Sequence, residues 1–220
     1  GINAQLSVPT DQLEPFKKLL YSIAFLNGVR LNTAVDDNGK SFFKLKILVR
    51  NKIVADGLHD ETFDVTNRGK HLNAKGFNEL AEKPDTIIID MRNHYESEVG
   101  HFKGAIKPDV DTFREELKIV PEMLKIHKNK KIALYCTGGI RCEKASAWLK
   151  HNGFKNVHHL KGGVIDYKHQ VEKDKLENNF LGTNFVFDAR LGERVGEEII
   201  SLCHLCNEAK SDTHYHCQNQ

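Results

Sequence analysis

Cys136-Thr137-Gly138-Gly139-Ile140-Arg141-Cys142 is the stretch that decides the fold. It follows an apolar run, Lys131-Ile132-Ala133-Leu134-Tyr135, and precedes a helical pattern expected to begin near Glu143. A strand therefore delivers a thiol into a loop running from Cys136 to Arg141, and a helix carries the chain away. Gly138 and Gly139 let the loop curl, so that the main-chain N–H groups of Thr137, Gly138, Gly139 and Ile140 turn inward as an anion-binding cradle. The helix N-terminus adds partial positive charge at the same place, and Arg141 adds a full one. All three favour a sulfur anion over a thiol. A free Cys has a pKa of about 8.5, and such surroundings lower it by roughly one to several units. Cys136 is the candidate catalytic thiol and Arg141 its cationic partner. Cys142 has two readings: a second redox thiol that resolves a persulfide or disulfide at Cys136, or a small residue packed under the loop.

Loop length narrows the chemistry. Phosphatases with a cysteine nucleophile use Cys-x5-Arg, whereas four residues separate Cys136 from Arg141 here. The smaller cradle suits a single added sulfur better than a tetrahedral phosphate. In this the chain resembles the rhodanese superfamily, whose loop-opening Cys carries a persulfide. Further motifs follow in that superfamily's order: Asp90-Met91-Arg92 closing the run Thr86–Ile89, then Glu96, then Gly100-His101-Phe102-Lys103-Gly104-Ala105-Ile106, and later Leu160-Lys161-Gly162-Gly163. Lys103 stands where the superfamily usually has Pro. The run ending at Asp90 lacks period-2 alternation and reads as a buried parallel strand. Asp90, Glu96 and Gly104 read as turn and ion-pair framework. Arg92 is a candidate to reach the thiol from the carboxyl end of its strand, with Asp90 beside it.

The chain has 220 residues, room for one to two domains, and 40% are hydrophobic, which fits a packed core rather than disorder. No apolar run approaches the roughly 20 residues that cross a bilayer. Formal net charge is +2 and does not demand nucleic acid. Two local basic groups stand out, Lys125, His127, Lys128, Lys130 and Lys131, and Arg68, Lys70 and His71. A solvated face and a phosphate-tracking patch are the alternatives for each. Five cysteines, with two close pairs, fit reduced catalytic or metal-binding thiols better than a disulfide framework. The expected compartment is the cytoplasm.

The expected architecture is α/β. Residues 1–58 read as a partial ferredoxin-like unit: a strand over Ile2–Val8, a helix capped by Asp11 with Pro15 in its first turn, and a strand over Phe42–Val49. The chain opens Gly1-Ile2-Asn3 without Met, as a fragment or processed product would. Residues 59–73 read as a linker. Residues 71–175 read as the rhodanese domain, a parallel sheet flanked by helices. Within it Asn73 caps a short helix ended by Pro84, Asp111–Leu117 forms another helix, and Pro121 starts a further one. Ala145, Trp148 and Leu149 share a helix face that Gly153 ends. Residues 176–220 form a Cys-rich tail. Cys203 and Cys206 have the bite of tetrahedral zinc ligands. Cys217 is a third candidate, and His214, His216 or His204 a fourth. The alternative is free or disulfide-paired thiols. No two-His, one-carboxylate triad is visible on strands, so the sequence points away from iron.

The match is closer than superfamily level. Cys136 through Lys144, Gly1-Ile2-Asn3, Met91-Arg92-Asn93-His94-Tyr95-Glu96, Phe185-Val186-Phe187-Asp188 with Arg190, and Cys203-x-x-Cys206 resemble the rhodanese-like tRNA uridine hydroxylases. The resemblance implies oxygen-dependent hydroxylation at carbon 5 of the wobble uridine of tRNA (position 34). tRNA and molecular oxygen are then the partner and co-substrate, and Cys136 the essential thiol. No flavin or haem motif is visible, and a zinc in the tail is the one metal expected. Sulfur transfer by a Cys136 persulfide and a non-catalytic adaptor are the competing readings.

Overall fold

The computed structural model describes residues 2–29, 31, 42 and 46–212. Four parallel strands form the central sheet: β1 (Lys70–Leu72), β2 (Thr86–Asp90), β4 (Lys131–Tyr135) and β5 (Asn156–Leu160), in the order β1-β5-β4-β2. A second, antiparallel sheet holds β3 (Gly100–Phe102), β6 (Phe180–Asn184) and β7 (Glu193–Arg194). The helices are α1 (Leu13–Ser22), α2 (Ala74–Ala81), α3 (His94–Val99), α4 (Phe113–Met123), α5 (Ile140–His151) and α6 (Gly163–Asp174).

Apolar side chains cover the sheet on both faces, which is why β2 and β4 read as continuous hydrophobic runs. One face packs Ile89, Ile132, Leu134 and Val157 against Leu117 and Val120 of α4 and Ala145 and Leu149 of α5. The other packs Ile88, Ala133 and Tyr135 against Phe77, Phe102, Tyr167 and Phe180. Asn73 caps α2 by accepting the Gly76 N–H at 2.9 Å, as its position predicts.

Several expectations about elements are corrected. Lys70–Leu72 pairs with β5 as a strand, so the segment 59–73 is not wholly a linker. The helix after the thiol loop begins at Ile140, not near Glu143. Pro121 lies inside α4 rather than starting a new helix. Proline removes the N–H that would bond the Leu117 carbonyl, and the Trp148 indole N–H takes that carbonyl instead at 2.8 Å. Among the described residues, Ile2–Val8 and 46–49 hold no strand, while residues 43–45 of the expected Phe42–Val49 strand lie outside the described residues; a short 3-10 turn, Thr10–Gln12, leads into α1 where an Asp11 cap is expected. No residue of α1 is buried. The sheet that a ferredoxin-like unit needs is therefore not part of the described structure.

The connection into α6 fixes the thiol loop from outside. Val164 and Ile165 donate their N–H groups to the Cys136 and Thr137 carbonyls at 3.0 and 3.2 Å. Gly163 makes this approach possible: its φ is +65°, and an added Cβ would strike the main-chain oxygens of Cys136 and Thr137. Gly163→Ala is expected to cost at least about 2 kcal/mol, from backbone strain and a contact that cannot relax. Chemical denaturation should show the loss, and the same change at open Gly138, where nothing lies within 4 Å, should cost far less.

Candidate active site

β4 ends at Tyr135 and the next residue, Cys136, turns its sulfur beneath the loop, where it is 1% exposed. Gly139 takes a left-handed conformation as the N-cap of α5, with φ of 92°. That turn aims its N–H at Cys136 Sγ, 3.2 Å away. Burial alone would push the Cys136 pKa up. The Cys142 thiol and N–H, the Arg141 charge and the Gly139 N–H together overcome it and bring the value down from 9.0 to about 6. Cys142 is fully buried, and burial first, then its hydrogen bond to Cys136, hold its own pKa well up. It is packed under the loop and in contact with Cys136, as a neutral donor. Thr137 is buried, while Gly138 and Ile140 reach the surface.

Arg141 acts on the sulfur through its charge while its guanidinium is held elsewhere. It pairs with Glu96 through two bonds of 2.6 and 2.7 Å, and Thr137 Oγ1 donates to the same carboxylate at 2.9 Å. Glu96 belongs to α3 and is fully buried. Burial pushes its pKa up, but the Arg141 pair outweighs this and the carboxyl stays below its ordinary value. Glu96 is therefore the residue that orients Arg141, beyond the framework role read from sequence. Glu116 of α4 is a second buried acid close enough to feel Cys136, Arg141 and Asp90. Neither of its carboxyl oxygens has a hydrogen-bond partner among the described residues. Burial first, then the Asp90 charge, holds its pKa well above the ordinary carboxyl value.

Arg92 does not reach the thiol. It is fully buried and pairs with Asp90 at 2.6 and 2.8 Å, while reaching the Gly100 carbonyl and the Asn184 side chain. The C-terminal segment does reach the site: the Arg141 guanidinium lies 5.7 Å from the Phe187 ring centroid, and Phe185 packs edge-on against Tyr95 and Phe187.

Two groups lie apart from the loop. Arg68, Lys70, Lys150 and Lys155 line one shallow depression, at the end of the sheet opposite Cys136. In the tail Cys203 and Cys206 are unbridged thiols. The Ala209 N–H meets Cys206 Sγ at 3.5 Å, and main-chain donors at Ala209 and Glu208 hold that thiol's pKa down. Such amide-to-sulfur bonds suit a thiolate metal ligand, so the pair fits zinc. His204 is taken by Glu98 at 2.5 Å. Cys217, His214 and His216 lie outside the described residues.

Two histidines and one carboxylate do lie together, the carboxylate on a helix rather than a strand. His71 of β1 and His159 of β5 are register partners, and Glu143 of α5 lies over them. Sequence spacing could not show this, because three separate elements supply the three side chains.

A model of the rhodanese-like domain matches residues 73–170, and one of the rhodanase C-terminal region matches residues 181–220. Residues 73–170 form a rhodanese-like domain. This domain carries the thiol loop, and the rhodanase C-terminal region supplies the Phe187 contact and the Cys203–Cys206 turn. Over its whole length the chain is 53% identical to a protein of Photorhabdus laumondii and 56% identical to one of Leptospira interrogans, each named tRNA uridine(34) hydroxylase. It spans 62% and 59% of those relatives. The rhodanese-like Alr3790 protein of Anabaena sp. is 25% identical, with a TM-score of 0.39 over 44% of this chain and 85% of that one.

The pH dependence of the site follows from Cys136. Its thiolate fraction should rise as pH climbs through about 6, so a titration of ultraviolet thiolate absorption should show a midpoint there. Arg141→Gln should move that midpoint upward. Because the folded value lies below the ordinary one, this sulfur's contribution to stability is complete above about 9 and is lost as pH falls to about 6. A midpoint near 8.5 in the wild-type chain would remove the electrostatic argument for Cys136.

Proposed function

We propose that the chain carries the thiol centre of an oxygen-dependent hydroxylase that converts the wobble uridine of tRNA to 5-hydroxyuridine. The observation that carries this reading is the similarity, over the whole of this chain, to proteins named tRNA uridine(34) hydroxylase. The site supports it with a thiol poised as an anion near neutral pH. Cys136 is the essential sulfur. The Gly139 and Cys142 N–H groups at the α5 N-terminus hold its charge, and Glu96 keeps Arg141 in place to add to that field. Phe187, 48% exposed at the rim of this site, offers a face on which a base can stack. Replacing the C5–H bond by C5–OH with O2 places one oxygen in the product and the other in water, which requires two electrons and two protons besides oxygen.

The tail is proposed to hold a structural zinc through Cys203 and Cys206, with Cys217 and His214 as the expected remaining ligands. The zinc would cross-link the turn, and the Cys206 main-chain donors would keep its thiolate ready. tRNA is the proposed partner and the cytoplasm the proposed compartment. No helix among the described residues is long and apolar enough to cross a membrane. Sulfur transfer through a Cys136 persulfide is the competing reading, and the names of the relatives do not favour it.

Nucleoside mass spectrometry of tRNA from a deletion strain tests the proposal. Loss of 5-hydroxyuridine-derived nucleosides, restored by the full-length gene, is the expected result. An unchanged profile ends the hydroxylase reading and leaves sulfur transfer, for which thiosulfate should add one sulfur to Cys136.

A further inference from the structure

We propose that His71, Glu143 and His159 form a binding site for a divalent transition-metal ion, distinct from the cysteine turn of the tail. The inference stands on geometry and is independent of the hydroxylase reading. One ligand atom from each residue lies within 4.8 Å of the others. His71 Nε2 and Glu143 Oε1 are already 2.6 Å apart. Two ligands about 2.1 Å from an ion and at right angles to it sit about 3 Å apart, so small movements complete the set.

Three features separate this group from an ordinary surface pair. His159 is 0% exposed, and neither of its ring nitrogens has a hydrogen-bond partner among the described residues. A fully buried imidazole left in this way is uncommon, and an ion between the three side chains would give it a partner. The two rings are packed together, with centroids 4.2 Å apart and planes tilted by 48°, because register pairing in a parallel sheet puts both on one face. Arg68 Nη1 holds the second Glu143 oxygen at 3.1 Å. That contact orients the carboxylate and leaves Oε1 directed at the histidines, as an outer partner of a metal ligand commonly does.

The donors also suit an ion electronically. Two imidazoles and one carboxylate favour Fe(II), Co(II), Ni(II) or Zn(II) over Mg(II) or Ca(II). Glu143 follows Cys142 directly in α5, so the ion would sit behind the helix turn that faces the thiolate.

Co(II) is the probe. The full chain is stripped of metal, reduced and titrated without oxygen, as wild type and as the Cys203→Ser/Cys206→Ser double variant. The double variant should still take up a single Co(II), with visible bands that lack thiolate-to-cobalt charge transfer. Adding either His71→Ala or Glu143→Gln to it should weaken that binding by at least about tenfold. Glu143 is partly exposed, so Glu143→Gln keeps the test decisive even where His71→Ala disturbs β1. Absence of Co(II) uptake in the double variant, or uptake unchanged by both added substitutions, overturns the proposal and leaves a plain His71–Glu143 hydrogen bond.

Discussion

Cys136→Ser is expected to abolish 5-hydroxyuridine formation while leaving the fold intact. The substitution exchanges sulfur for oxygen in a site that is 1% exposed, so packing around Ile89 and Leu134 changes little. The chemistry changes completely. A serine hydroxyl does not ionise near neutral pH, and an oxygen in place of sulfur forms neither a persulfide nor a sulfenate. The loop's N–H donors, the Arg141 charge and the α5 terminus would then surround a neutral group. Complementation of a deletion strain should show at least a hundredfold drop in modified wobble uridine, on the order of losing an activated nucleophile. Denaturation midpoints should stay close to wild type. Cys142→Ser gives the contrast. Its hydroxyl still donates to Cys136, so partial activity should survive, and total loss there would assign Cys142 a redox role of its own. Full complementation by Cys136→Ser would sink the thiol-centred reading and revive a non-catalytic role for the rhodanese domain.

The parts of this site that are legible in the sequence are those the chain makes locally. Cys136, Gly139 and Arg141 lie within six positions, so strand, glycine turn and helix N-terminus follow from reading one segment. Asn73 and Gly153 are legible for the same reason, since caps act within one helical turn. What the sequence hides is what parallel pairing assembles. Glu96 reaches Arg141 across 45 positions, and its reading as ion-pair framework does not name that partner. Glu116 reads as one charge among several in Arg114-Glu115-Glu116, and only packing of α4 reveals that it is buried. His71 and His159 become neighbours only once Lys70–Leu72 is recognised as a strand, and three residues are too few for a periodicity signal. Pro121 misleads in the opposite direction: its local rule is sound, and a side chain 27 positions later compensates for it.

Arg92→Ala is expected to be the most destabilising single change in the described structure. Arg92 and Asp90 are both fully buried, and the guanidinium makes two bonds to the carboxylate. The same group reaches the Gly100 carbonyl at 2.5 Å and Asn184 Oδ1 at 3.3 Å, and lies 5.4 and 5.5 Å from the ring centroids of Tyr135 and Phe180. It therefore fastens the end of β2 to both β3 and β6, and so joins the parallel sheet to the antiparallel one. Removing it leaves the Asp90 carboxylate in the core with the Tyr135 hydroxyl as its remaining donor among the described contacts. Truncating one partner of a buried pair typically costs about 3–5 kcal/mol, because the other charge stays desolvated. Arg92→Lys should recover less than half of that, since a single ammonium cannot span the carboxylate, the carbonyl and the amide together. The double variant Asp90→Leu/Arg92→Met should be more stable than Arg92→Ala, because neither charge of this pair remains to be buried. Denaturant unfolding of the four chains orders these outcomes. Hydroxylation should fail in Arg92→Ala at temperatures below its melting point, because β6 leads directly into Phe185 and Phe187, which pack around Tyr95 and Arg141. A loss under about 1 kcal/mol would show that the two sheets hold together without this pair.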